Sequence, residues 1–209
     1  VRDLSCSNSF QRVTSLSIVT SIHPHLDIVN RKMAWGKAKT SSLDGWLKHI
    51  QSQPSLIILP FRLLSSEDAI TLFQALEDNI SLLEFSASGK PLSEEAIEAA
   101  AMMLIKNSVL KQLSVGDVSF GNSGLAILSK GLQRNTALQR LDLSYKGLSA
   151  GAGELLASVL EDNTSLQELV LSRNDELNDV EIANMFAHRN NNTNNNPTNS
   201  NPNNNNKNN

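Results

Sequence analysis

The chain has one cysteine, Cys6, among 209 residues. A disulfide framework is excluded, as is a zinc site drawing two or more cysteines from this chain. Aromatic residues make up only 4%, too few for an aromatic-rich platform that stacks bases or sugars. Neither sign of charge dominates: 18 Lys and Arg against 21 Asp and Glu give a formal charge of −3. Nucleic-acid binders usually carry a basic excess, so nucleic acid is not an expected partner. Long apolar runs are also missing. The longest, 56–61 (counting Pro60) and 99–105, fall well short of the roughly 20 residues that a spanning helix needs. Residues 1–20 are broken by Arg2, Asp3, Asn8, Gln11 and Arg12, and lack the apolar stretch of a signal peptide. No membrane partner is expected, and the cytoplasm is the expected location.

Catalytic signatures are scarce as well. Neither G-x-x-x-x-G-K-[ST] nor a strand followed by G-x-G-x-x-G occurs; Gly116 to Gly121 has neither the lysine nor the spacing. His23 and His25 flank Pro24, with Asp27 nearby, but a structural metal site normally takes four ligands. They read as a surface loop, and His49 and His188 as solvent-facing. No serine is singled out as a nucleophile, and Cys6 has no recognisable nucleophile context. The expectation is a non-enzyme with no catalytic residues, no metal, no cofactor and no small-molecule substrate. Three N-x-[ST] matches begin at Asn79, Asn163 and Asn191; two coincide with a repeated position and are read as structural.

What the chain does have is leucine, 31 residues in all. The leucines repeat. Ser81-Leu82-Leu83-Glu84-Phe85, Val109-Leu110-Lys111-Gln112-Leu113, Ala137-Leu138-Gln139-Arg140-Leu141 and Ser165-Leu166-Gln167-Glu168-Leu169 align, with Ser55-Leu56-Ile57-Ile58-Leu59 before them. Leading leucines fall at 56, 82, 110, 138 and 166, spaced by 26 and then 28. A fixed period of this size signals a repeat architecture. Each unit opens as a short strand, L-x-x-L-x-L in its best copies, whose last two positions share one face. A helical stripe follows at intervals of three and four: Ala69, Leu72 and Leu76; Ile97, Ala100 and Leu104; Leu125, Leu128 and Leu132; Gly153, Leu156 and Leu160. Leu64, Leu92, Phe120, Leu148 and Leu177 mark the turns between. Serine and acidic residues at Ser65–Asp68 and Ser93–Glu95 suit helix N-termini. Asn79, Asn107, Asn135 and Asn163 each stand three residues before the next leading leucine. They read as helix terminators that tolerate the left-handed conformation.

These units resemble leucine-rich repeats of the ribonuclease-inhibitor type, whose longer pattern is L-x-x-L-x-L-x-x-N-x-L-x-x-x-G-x-x-x-L-x-x-x-L. Leu138 to Leu160 is the best match. The asparagine of that pattern is present only as Asn174; Lys90, Val118 and Lys146 replace it elsewhere, and the first unit is two residues short there. Similar repeats occur in the repeat domains of nucleotide-binding immune receptors, the activator of the Ran GTPase and tropomodulin-like actin regulators. The resemblance implies an α/β horseshoe solenoid, with parallel strands on the concave side and helices on the convex side.

The expected organisation is an irregular or degenerate segment at 1–39, about five repeat units at 40–189 and a disordered Asn-rich tail at 190–209. Leu26–Val29 could be a degenerate strand, and Trp46 belongs to the core or a cap. No terminal cap is visible, although repeat arrays need one for solubility. Strand residues between the core leucines would face the concave surface: Ile58, Pro60 and Arg62, then Glu84, Ser86 and Ser88, with their equivalents in later units, Val170 among them. The candidate partner-binding residues are Arg140, Asp142, Tyr145, Arg173, Glu84 and Glu168. Tyr and Arg are enriched in binding hot spots. The expected function is a protein-interaction module, scaffold or sensor, docking a protein partner on this face. The alternatives are a regulator of a small GTPase and a tropomodulin-like actin-binding protein.

Overall fold

The structure, a computed structural model, describes residues 16–19, 42–52, 54–58, 65–178, 180, 182, 183 and 185. Cys6, His23, His25, Leu26–Val29, Pro60, Arg62, Leu64, His188 and the Asn-rich tail lie outside the described residues. The fold is mixed α/β. In chain order the elements are β1 (Ser17–Val19), α1 (Leu43–Gln51), β2 (Leu56–Ile58), α2 (Ser66–Glu77), β3 (Glu84–Ser88), α3 (Glu94–Lys106), β4 (Gln112–Gly116), α4 (Gly121–Arg134), β5 (Arg140–Asp142), α5 (Ala152–Asp162) and β6 (Glu168–Val170).

The strands form one parallel sheet in the order β1-β6-β5-β4-β3-β2. From β2 to β6 each strand pairs with its sequence neighbour, and each helix packs on the next. The leading leucines Leu82, Leu110, Leu138 and Leu166 are buried, as are the inward strand residues Phe85, Leu113, Leu141 and Leu169. The helical stripes meet them from the other side. Phe73 and Phe85 meet edge to face at 5.8 Å between ring centres. α4 approaches α3 so closely at Gly131 that an added Cβ would stand 2.5 Å from the Ala101 carbonyl oxygen. Trp46 is buried against its neighbours, and His49 is half-buried beside it in an edge contact.

Three expectations need correction. First, Leu56 pairs with Glu84, so the 28-residue spacing holds in the first strand as well. The residue in the core row is Ile57, 2% exposed, in line with Phe85. Second, the helix-ending asparagines are not left-handed: Asn107, Asn135 and Asn163 have φ near −75° and extended ψ. Their amides do the terminating instead. Asn135 Nδ2 donates to Leu104 O at 2.7 Å and Asn107 O at 3.1 Å, and its Oδ1 accepts from Ala137 N and Leu138 N. Asn107 and Asn163 repeat this pattern. Third, the far end of the array has a cover: β1, from the N-terminal segment, pairs with β6. Ile182 and Met185 are also buried there.

Candidate partner-binding face

The strands place one residue of each unit in lateral register. Glu84, Gln112, Arg140 and Glu168 form one row across β3 to β6, and Ser86, Ser114, Asp142 and Val170 the next. Strands in a sheet lie about 4.8 Å apart, so neighbours in a row can touch. Gln112 Nε2 donates to Glu84 Oε1 at 3.1 Å, and Arg140 forms an ion pair with Glu168. Three of the six expected binders therefore already bind within the sheet. Asp142 lies two residues beyond Arg140, in the second row, and accepts from Ser144 N at 2.9 Å. Val170 breaks the second row: it is fully buried, not on an open face.

Tyr145 and Arg173 occupy equivalent turns, 28 positions apart, beyond β5 and β6. Tyr145 N donates to Ser172 O at 3.0 Å, which sets the two turns side by side. Both residues have left-handed backbones, φ 56° and 59°, and among the described residues they are the two non-glycines that do. At the corresponding place after β3 stands a glycine, Gly89, with φ 83°. Both side chains are exposed, Tyr145 at 58%. Among the described residues Arg173 has no ion pair.

Lys146, next to Tyr145, was not expected to matter. It is buried, and its Nζ donates to Ser88 Oγ at 2.7 Å, reaching across two units. Burial pushes its amine below the ordinary lysine range, opposed by the charges of Asp142 and Asp117. The signal in the sequence was a lysine at the asparagine position of the longer pattern. Asn174, which keeps that position, accepts from Lys146 N and Leu148 N and donates to Leu143 O and Leu171 O. At the opposite end of the strands an open polar groove is lined by Ser17, Gln112, Gln139, Arg140, Gln167 and Glu168.

Among the described residues no group of three or more His, Cys, Asp and Glu could hold a metal ion. Among them no helix is long and apolar enough to cross a membrane. Asn163, an expected structural residue in an N-x-[ST] match, is 2% exposed.

No family model matches the chain, and no curated protein does. Solved structures do match. The leiomodin-1 actin-binding site 2 structure aligns with a TM-score of 0.59 and 16% identity, covering 74% of this chain and 93% of that one. The tropomodulin C-terminal domain of Caenorhabditis elegans aligns with a TM-score of 0.53 and 12% identity, covering 73% of this chain and 96% of that one. At these identities the likeness is one of fold: the chain is similar to the leucine-rich-repeat-like domains of the tropomodulin group.

Proposed function

We propose that the chain is a non-enzymatic protein-interaction module, a leucine-rich-repeat solenoid of the ribonuclease-inhibitor type that docks a protein partner in the cytoplasm on its concave face. The observation that carries this reading is the pair Tyr145 and Arg173. A non-glycine residue in the left-handed region costs on the order of 1–2 kcal/mol, and such costs cluster where a binding site needs a particular side chain. Here glycine would relieve the strain, yet a tyrosine and an arginine stand exposed side by side. Both residue types are enriched in binding hot spots. Arg140, Asp142, Glu84 and Glu168 then serve as the polar floor of the face; the Arg140–Glu168 ion pair, the Gln112–Glu84 bond and the Ser144–Asp142 bond fix it before a partner arrives. Metals, small molecules and nucleic acid have no part in this reading.

Actin is the second reading, supported by the neighbours: the leiomodin-1 structure is that of an actin-binding site. No observation favours the small-GTPase alternative.

The test separates binding from folding. The double variant Tyr145→Gly/Arg173→Gly is expected to unfold at the wild-type denaturant midpoint or above it. Its recovery of the partner in affinity capture is expected to fall at least about tenfold, a loss equal to about 1.4 kcal/mol. Undiminished capture by the double variant would sink the assignment of this face. Co-sedimentation with filamentous actin, run on both proteins, decides the second reading.

A further inference from the structure

We infer that the outer edge of β6 is a strand-acceptor site for an extended apolar peptide of a partner protein, held closed in the resting chain by β1. It lies beside the proposed partner-binding face and does not depend on it. The reasoning begins with how β1 is attached. Three residues, Ser17–Val19, pair in parallel with Glu168–Val170. Ser17 N donates to Gln167 O at 2.8 Å, and Leu171 N donates to Val19 O at 3.0 Å. Leu16 and Ile18 pack against the core from outside and are only partly buried, while Ser17 lies over the polar groove beside Glu168. β1 is separated from α1 by residues 20–42, and it sits at the edge of the sheet farthest from β2. β1 and β2 stand five strand intervals apart in the sheet, about 24 Å at 4.8 Å each. β1 therefore meets the sheet as a tethered peptide would, not as the next rung of the array.

An uncovered sheet edge is a template for another strand, and adding a strand to an edge is a recurrent mode of peptide recognition. The segment already seated there defines what fits: an extended, uncharged stretch that runs parallel to β6. It carries branched apolar residues at the Leu16 and Ile18 positions. Between them it needs a small residue, because the Ser17 position faces the Arg140–Glu168 pair. Tethering gives β1 an effective concentration on the order of millimolar, so a partner peptide must displace it, and release of β1 raises the apparent affinity.

The probe is a fluorescein-labelled synthetic peptide spanning residues 14–21, titrated against the full chain. Wild type is compared with Ile18→Asp, which puts a charge on the packed position, and with Ser17→Pro, which removes the donor to Gln167. Both variants are expected to bind the peptide at least about tenfold more tightly than wild type, by relief of the tethered competitor. The same peptide with Asp at the Ile18 position is expected not to bind. Equal affinity for all three proteins, no binding to any, or tolerance of the Asp peptide would overturn the inference. A concentration-dependent dimer of the wild type that Ser17→Pro abolishes would also overturn it, because the occupant would then be β1 of a second copy. Hydrogen exchange on the wild type needs no variant. The Leu171 amide, which bonds to β1, is expected to exchange well before the Leu143 amide, which bonds to Val170 O inside the array. Equal protection of the two would count against a displaceable β1.

Discussion

Lys146 stands where the longer repeat pattern has asparagine, and the fold carries its amine into the interior to meet Ser88. One hydroxyl and two nearby carboxylates offset the loss of water only in part, so its pKa falls below the ordinary lysine value. The consequence for stability has a definite sign. Below the lowered folded pKa the amine is protonated in both states, and the cost of burying the charge is present in full. As pH rises through the lowered folded pKa toward the unfolded value of about 10.4, the native state releases its proton first. The unfolded chain then binds more protons, so this residue's contribution to stability rises with pH. Lys146→Met keeps much of the side chain's length and removes the charge. It is expected to raise the urea midpoint at pH 7, with the advantage over wild type shrinking as the buffer is taken to pH 10.5. A difference that stayed constant or grew would refute the account. Tyr145 and Arg173 were legible as residue types with a taste for interfaces. Their left-handed backbones were not, because the sequence shows no glycine to mark those turns.

The joints between elements depend on the buried asparagines. Each one ties the end of its own helix to the next strand and to the backbone of the preceding unit. Asn135 satisfies four backbone groups, and truncation to alanine strands them where water enters poorly. A buried polar group left unpaired costs about 1–3 kcal/mol, and relaxation recovers part of the sum. Asn135→Ala is therefore expected to destabilise by about 2–4 kcal/mol, read from urea midpoints. Asn135→Asp is expected to be worse at pH 7, since a carboxylate would face the Leu104 and Asn107 carbonyl oxygens. It should recover partly as acid protonates it. Equal stability of wild type and Asn135→Ala would remove the ladder from the account. These joints were visible in the sequence by position, through the 28-residue spacing, but their mechanism was not. The left-handed reading was natural for asparagine, yet its amide can satisfy strand and helix ends together from an extended backbone. The register of β2 was misread for a related reason. Leu56-Ile57-Ile58-Leu59 fits the strand pattern in two ways that differ by two residues. Such a slip keeps every side chain on its face, so alternation cannot detect it; only the lateral pairing of Leu56 with Glu84 does.

From β2 to β6 the contacts among the described elements are sequential. α1 packs on α2, α2 on α3, α3 on α4 and α4 on α5, and among the described elements β1 on β6 is the long connection. The 28-residue period made the sequential part legible. β1 stayed hidden because three residues hold no repeat, and their pairing is with the strand farthest from them in sequence. When each unit touches only its neighbours, stability is close to a sum of unit terms and nearest-neighbour terms. Damage in the middle then differs in kind from damage at an end. Leu141 is wholly buried in β5, between β4 and β6. Leu141→Ala is expected to lower the stability of the whole array by about 2–5 kcal/mol while keeping one cooperative transition. Trp46 is buried in α1, which among the described helices packs only on α2. Trp46→Ala is expected to release α1 first: amides of residues 46–51 lose protection in hydrogen exchange while those of β4 and β5 keep theirs. Loss of protection at β4 and β5 to the same degree would mean that the array unfolds as one indivisible unit. In that case the bridge from β1 to β6, which attaches the N-terminal segment to the edge of the sheet farthest from β2, would be the element to delete next, with exchange at α1 as the readout.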